Sequence, residues 1–349
     1  MTEAKYTPEE IIAKLQAHPK FGSQIKPITK HQSAIISSGL EPAVVIAGAG
    51  SGKTETMSNR VLYLVANGFA TPDQILGLTF TRKAAGELSV RIRKRLRQLS
   101  QLPEFKHIVS SSTAVTTYHS YAGKLLSEHA IRYGIDADAD PLGEAAIWQI
   151  ASDVVRNWSD DSYRNDSAVS TVIKDLLGLS KFMLEHQVKA SDIEAIGNEM
   201  LEKLQLLGGS TNEDTRAVAR AMRQRNSLLP MVEAFMERRK ASGELSFDDQ
   251  MSLAADIAQN FEDVGTLERG KYTVVLLDEY QDTSQSQVRM LSSLYGAGHP
   301  VMAVGDPSQA IYTWRGASAG TMASFHKYFP KAQGQTGTEQ FSLPTTFRN

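Results

Sequence analysis

Two stretches far apart in the chain carry the groups that phosphate chemistry needs: Ala47–Thr54, AGAGSGKT, and Val274–Asp282, VVLLDEYQD. In the first, Gly48, Gly50 and Gly52 let backbone N–H groups close around phosphate oxygens, so that Ala49, Gly50, Ser51 and Gly52 form a cradle. Lys53 adds a positive charge, and the Thr54 hydroxyl suits Mg²⁺. In the second stretch, Asp278 can hold that Mg²⁺, directly or through its water. Glu279 can orient and deprotonate a water that attacks a γ-phosphate. The strict phosphate-loop pattern begins with Gly, where this chain has Ala47.

These groups work only if the right elements hold them. The β-branched run Ala43–Ile46 before the loop and the helical stretch Glu55–Ala66 after it predict a strand–loop–helix unit, the setting for phosphate capture at a helix N-terminus. Val274–Leu277 reads as a strand buried on both faces of a parallel sheet. Its carboxylates then lie at the C-terminal edge, where open α/β sheets place ligands. Alternation along a strand predicts that Asp278 and Glu279 point to opposite sides. Further strand-like runs fall at Ile75–Thr81, Ala114–Tyr118, Val301–Val304 and Phe341–Phe347. Strands alternating with helices predict a parallel α/β sheet. The alternation stops between about Tyr121 and Glu244. There a helical period (Ile147, Ile150, Val154, Val155, Trp158) and breaks at Asp136–Pro141 and Gly208–Asp214 predict an inserted all-helical subdomain.

At 349 residues, 41% hydrophobic and 22% charged, the chain has the composition of a globular protein with room for two domains. No apolar run approaches a membrane span, and the start, MTEAKYTPEE, has no signal-peptide character. The absence of cysteine excludes disulfides, thiolate metal sites and cysteine nucleophiles, and agrees with a cytoplasmic protein. A net charge of −2 means that any footprint for a polyanion must be local.

Three more segments bear on the substrate. Leu78–Gly86 offers Thr79, Phe80 and Arg82 where a strand meets a helix, groups suited to phosphate contact and base stacking on a single strand. The helix that follows carries Arg91, Arg93, Lys94, Arg95 and Arg97, equally readable as a solvated face or a phosphate-contacting one. His119, in Thr116–Ser120, is as readily a buried structural residue as a functional one. In Val304–Gly316, Gln309 can hydrogen-bond a γ-phosphate or the attacking water. Tyr312, Trp314 and Arg315 can stack bases, against the alternative of ordinary core packing for the two rings. A segment touching both phosphate and base is a candidate coupling element.

With these motifs in this order, the chain resembles the UvrD/Rep/PcrA family of superfamily 1 DNA helicases over nearly all of its length outside the helical block. The matching segments are Ile28–Gln32, AGAGSGKT, LTFTRKAAGEL, TTYHS, LSFDDQM, VLLDEYQDTSQSQ and VGDPSQAIYTWRGA. The resemblance implies a RecA-like P-loop NTPase sheet, using ATP and Mg²⁺, with an inserted helical subdomain. Its parts would be core 1A over residues 1–120 and 245–340, subdomain 1B over 121–244, and the start of a second RecA-like domain over 341–349. It also implies that Gln32 reads the adenine edge, that Phe347 stacks on adenine and that Arg348 reaches the γ-phosphate. Phe80, His119, Tyr312 and Trp314 would line a single-strand track. Glu55 departs from the pattern, since several members carry there an arginine that helps hold the nucleotide. The chain is thus expected to be the N-terminal part of a 3′→5′ motor acting on single strands and duplex junctions, with a possible repair or nuclease partner. The motor portion of a helicase–nuclease, a single-strand binding module without productive ATPase and a small-molecule P-loop kinase are the alternatives.

Overall fold

Five apolar runs and the strand near the C-terminus pair into one sheet, in which every pairing is parallel. The strands are β1 (Ala43–Ala47), β2 (Ile75–Thr79), β3 (Ala114–Thr117), β4 (Val274–Leu277), β5 (Val301–Gly305) and β6 (Glu339–Leu343), in the order β3-β2-β4-β5-β1-β6. The structure is a computed structural model and describes residues 4–108, 112–134, 142–159, 167–206, 213–242, 245–296, 298–310, 320–332 and 338–347. Helices α1 (Pro8–Gln16), α2 (Lys30–Ile36), α3 (Lys53–Ala66), α4 (Arg82–Leu99) and α5 (Tyr118–His129) accompany the first half of the sheet. Helices α6 (Glu144–Arg156), α7 (Val169–His186), α8 (Ala190–Leu206) and α9 (Glu213–Ser242) follow. Then come α10 (Phe247–Asn260), α11 (Glu262–Lys271), α12 (Gln285–Tyr295) and α13 (Phe325–Tyr328).

The chain divides into two compact units, one of Met1–Lys124 with Ala254–Asn349 and the other Leu125–Leu253. The first holds the whole sheet. On β4, Val274 and Leu276 join the core that α1, α3 and α4 share with β1, while Val275 and Leu277 are equally buried without belonging to it. A strand covered on both faces has no polar positions, which is why β4 reads as an unbroken apolar run. The second unit has its own core, in which Ala151 and Val154 of α6, Leu176 of α7 and Phe235 of α9 meet. The predicted helical period is visible there: Ile147, Ile150, Val155 and Trp158 pack against this cluster. Among the described residues no helix is long and apolar enough to cross a membrane.

Several strand limits differ from expectation, each for a local reason. β2 stops at Thr79, because Thr81 caps α4 by accepting the Ala84 N–H at 3.1 Å. The last strand lies at Glu339–Leu343, earlier than Phe341–Phe347, since Pro344 has no N–H to continue the ladder.

Candidate nucleotide site

The order of strands brings the two phosphate motifs together. β5 lies between β1, which ends at the glycine loop, and β4, which ends at the two carboxylates, so all three C-terminal ends open on one edge. At the loop, Gly52 takes φ +88° and turns the chain into α3. A side chain there would be strained by that backbone, and its Cβ would lie 2.9 Å from Gln32 Nε2. Lys53, the first residue of α3, reaches across to Glu279 Oε2 at 2.9 Å.

Asp278 and Glu279 do differ in environment, but not through strand alternation. β4 ends at Leu277, and Glu279 adopts a left-handed backbone, φ 50°, before a short 3₁₀ turn at Tyr280–Asp282. That turn, not a pleat, sets the direction of its carboxylate. Asp278 is buried, and among the described residues its carboxylate accepts only the Glu279 N–H, at 3.1 Å, with no cation bonded to it. Burial first, and the neighbouring Glu279 charge second, push its pKa up to about 6, partly offset by Lys53 and by that N–H bond. The buried Tyr118 hydroxyl donates to the Asp278 carbonyl at 3.0 Å, fixing the carboxylate's backbone.

Gln32 and Phe347 flank the same glycine. Gln32 is buried in the capping box of α2, where its Oε1 accepts the Thr29 N–H at 3.0 Å, and its Nε2 faces Gly52. Because β6 runs beside β1, the chain after Leu343 passes over the loop. Thr346 Oγ1 donates to the Ala49 carbonyl at 3.3 Å and Phe347 N–H to the Gly50 carbonyl at 2.9 Å. The Phe347 ring is 59% exposed and lies near Gly52. Gln309 donates its amide to the Asp306 carboxylate. Ser51 Oγ bonds the Gly48 carbonyl at 2.8 Å, tightening the loop from inside.

The other expected residues are more scattered. Phe80 is half-buried, and Arg82 and His119 are exposed. Thr79 is fully buried at the end of β2, so its hydroxyl is not on the surface. Tyr312, Trp314, Arg315 and Arg348 lie outside the described residues. Glu55, where the resemblance anticipates arginine, pairs with Arg91 at 2.8 Å and Arg95 at 2.6 Å. Burial raises its pKa, but the two guanidinium groups outweigh that and hold it below the usual carboxylate value. Two of the seven basic residues of α4 are therefore paired with Glu55, Arg95 buried and Arg91 at the surface. Sequence reasoning passed over Gln281 and Tyr118, whose burial and partners no local pattern announces.

A parallel sheet with a glycine loop closing β1, a lysine opening the next helix and a buried carboxylate closing β4 defines a P-loop nucleotide-binding domain. The family model for the UvrD/REP helicase N-terminal domain matches residues 28–330, and the chain belongs to that family. It is similar to the ATP-dependent DNA helicase UvrD1 of Mycobacterium tuberculosis, 29% identical over 308 residues, 86% of this chain and 35% of that protein. Similar too are the ATP-dependent DNA helicases PcrA of Staphylococcus epidermidis, 25% identical over 88% of this chain and 37% of that protein, and of Staphylococcus aureus, 26% over 86% and 36%. The chain spans about a third of the length of the curated relatives it matches.

Proposed function

We propose that the chain is the nucleotide-binding part of an ATP-dependent DNA motor that tracks along single strands, unwinds duplex junctions 3′→5′, and serves repair or recombination. We take the sheet unit as the family's core 1A and the helical unit as its inserted subdomain 1B. The observation that carries the reading is the meeting of Lys53, Asp278 and Glu279 at one sheet edge in a chain of this family.

Asp278 and Thr54 suit Mg²⁺. Both offer hard oxygen, and the Asp278 carboxylate is buried with a charge that a bound cation would match. Among the described residues no three acidic or histidine groups cluster as a metal cage, which is the usual situation for Mg²⁺, where phosphates and waters complete the shell. When bound, the ion would neutralise charge on the β- and γ-phosphates. Lys53 would leave Glu279 for the phosphates, freeing that carboxylate to act as base. Water then attacks the γ-phosphorus and gives its proton to Glu279, and the bond to the bridging oxygen breaks so that ADP leaves with the electron pair. Gln309 would leave Asp306 to contact the γ-phosphate or the water. Gln32 and Phe347 would read and stack the adenine. Phe80, Arg82 and His119 would meet the strand, together with Tyr312, Trp314 and Arg315.

In the full-length protein with single-stranded DNA, Glu279→Gln should lower ATP turnover about 10²–10⁴-fold while leaving nucleotide affinity intact. Unwinding that survives this substitution defeats the motor reading.

A further inference from the structure

Behind the catalytic carboxylate sits a polar side chain with no freedom left. Gln281 is 2% exposed. Its Nε2 donates to Glu279 Oε2 at 2.9 Å and to Asp282 Oδ2 at 3.0 Å, and its Oε1 accepts the Asp306 N–H at 2.9 Å. The orientation of this amide is forced: two carboxylates can only accept and a backbone N–H can only donate. We propose that Gln281 is a positioning residue of the hydrolytic site, holding the Glu279 carboxylate in place and tying it to the backbone at Asp306. The proposal rests on the ATP-hydrolase reading above.

Three features support it. Glu279 occupies a left-handed conformation unfavourable for a side-chain-bearing residue, and such strain persists where the surroundings over-determine it. Lys53 and Gln281 both bond Oε2, and no bond is made to Oε1 among the described residues. Once phosphates claim Lys53, Gln281 is the remaining side chain bonded to that carboxylate among the described residues. Second, β5 ends in Gly305, where a Cβ would collide with Gln281 Oε1 and lie 3.2 Å from the Gln281 backbone nitrogen. The absence of a side chain there is what lets the strand approach the amide. Third, the Asp306 carboxylate accepts the Ser308 N–H at 3.0 Å and the Gln309 amide. A continuous run of bonds therefore leads from Lys53 through Glu279, Gln281 and Asp306 to Gln309. A shift of the carboxylate on loss of the γ-phosphate is transmitted through Gln281 to the segment that follows β5.

The test compares Gln281→Met, which keeps the volume, and Gln281→Glu, which keeps the shape but removes both donors, in the full-length protein with single-stranded DNA. Steady-state ATPase is measured over a range of ATP concentration, with melting temperature alongside. Both variants should lose about 10–100-fold in kcat with KM for ATP changed less than about threefold. Gln281→Glu should lose the more of the two, because its carboxylate also repels that of Glu279. A lowered melting temperature with unchanged kcat would show a structural role only and overturn the proposal. Should both variants fail to fold, Gly305→Ala, which displaces the same amide, must show the same loss in kcat, and full turnover there overturns it. An inactive wild-type protein would instead remove the hydrolase reading, and this proposal with it.

Discussion

At the scale of single residues, the most consequential group is Asp278, a buried acid with no cation bonded to it among the described residues. Its pKa of about 6 stands above the ordinary 3.8, so the native chain binds a proton more tightly than the unfolded chain does. Stability therefore falls as pH rises from about 4 to 6, and the burial cost is fully present above that window. Asp278→Asn should stabilise the ligand-free chain by about 1–3 kcal/mol at pH 7.5, an increment that fades towards pH 4. Urea unfolding at the two pH values checks this. The same proton competes with metal: Mg²⁺ affinity should drop about tenfold per pH unit below pH 6, read by calorimetry, and the Asn variant should bind Mg²⁺ poorly at every pH.

At the scale of elements, the placement of α2 depends on a residue from α3. Arg60 is buried, and its guanidinium donates to the carbonyls of Ile36 at 2.7 Å, Gly39 at 2.8 Å and Ser38. Burial lowers its pKa to about 10, which leaves it charged at neutral pH. The Ile36 carbonyl ends this seven-residue helix and the other two follow it, and the helix carries Gln32 to Gly52. Arg60→Ala should cost about 2–4 kcal/mol in urea unfolding, since it strips several charge-assisted bonds at once. It should also narrow the preference for ATP over GTP, measured as a ratio of dissociation constants. An unchanged ratio would separate the helix's placement from base reading.

At the scale of the whole chain, the sheet unit supplies Lys53, Asp278 and Glu279, while the helical unit has a separate core. P-loop phosphoryl transfer also uses arginine on the transition state, worth about 10³–10⁵ in rate. We expect the isolated chain to bind ATP weakly and turn it over at least about 10³-fold more slowly than the full-length protein with DNA. A single-turnover assay on both decides this, and equal rates would mean that the chain's own residues complete the site.

Features that depend on neighbours along the chain are readable from the residues alone. The glycine loop between β1 and α3 was legible because phosphate cradles need φ-permissive residues at short spacing. β4 was legible because a strand buried twice must be apolar throughout, and the helical block because its apolar residues repeat at 3.6. The tertiary structure decided what depends on residues distant in sequence. Placing β5 between β4 and β1 brings Gln281 to Asp306, and placing β6 beside β1 brings Phe347 to Gly50. It also buried Thr79 and paired both Arg91 and the buried Arg95 with Glu55. Periodicity and turn chemistry are local, whereas the partner of a buried amide or a guanidinium is chosen by which strands and helices become neighbours.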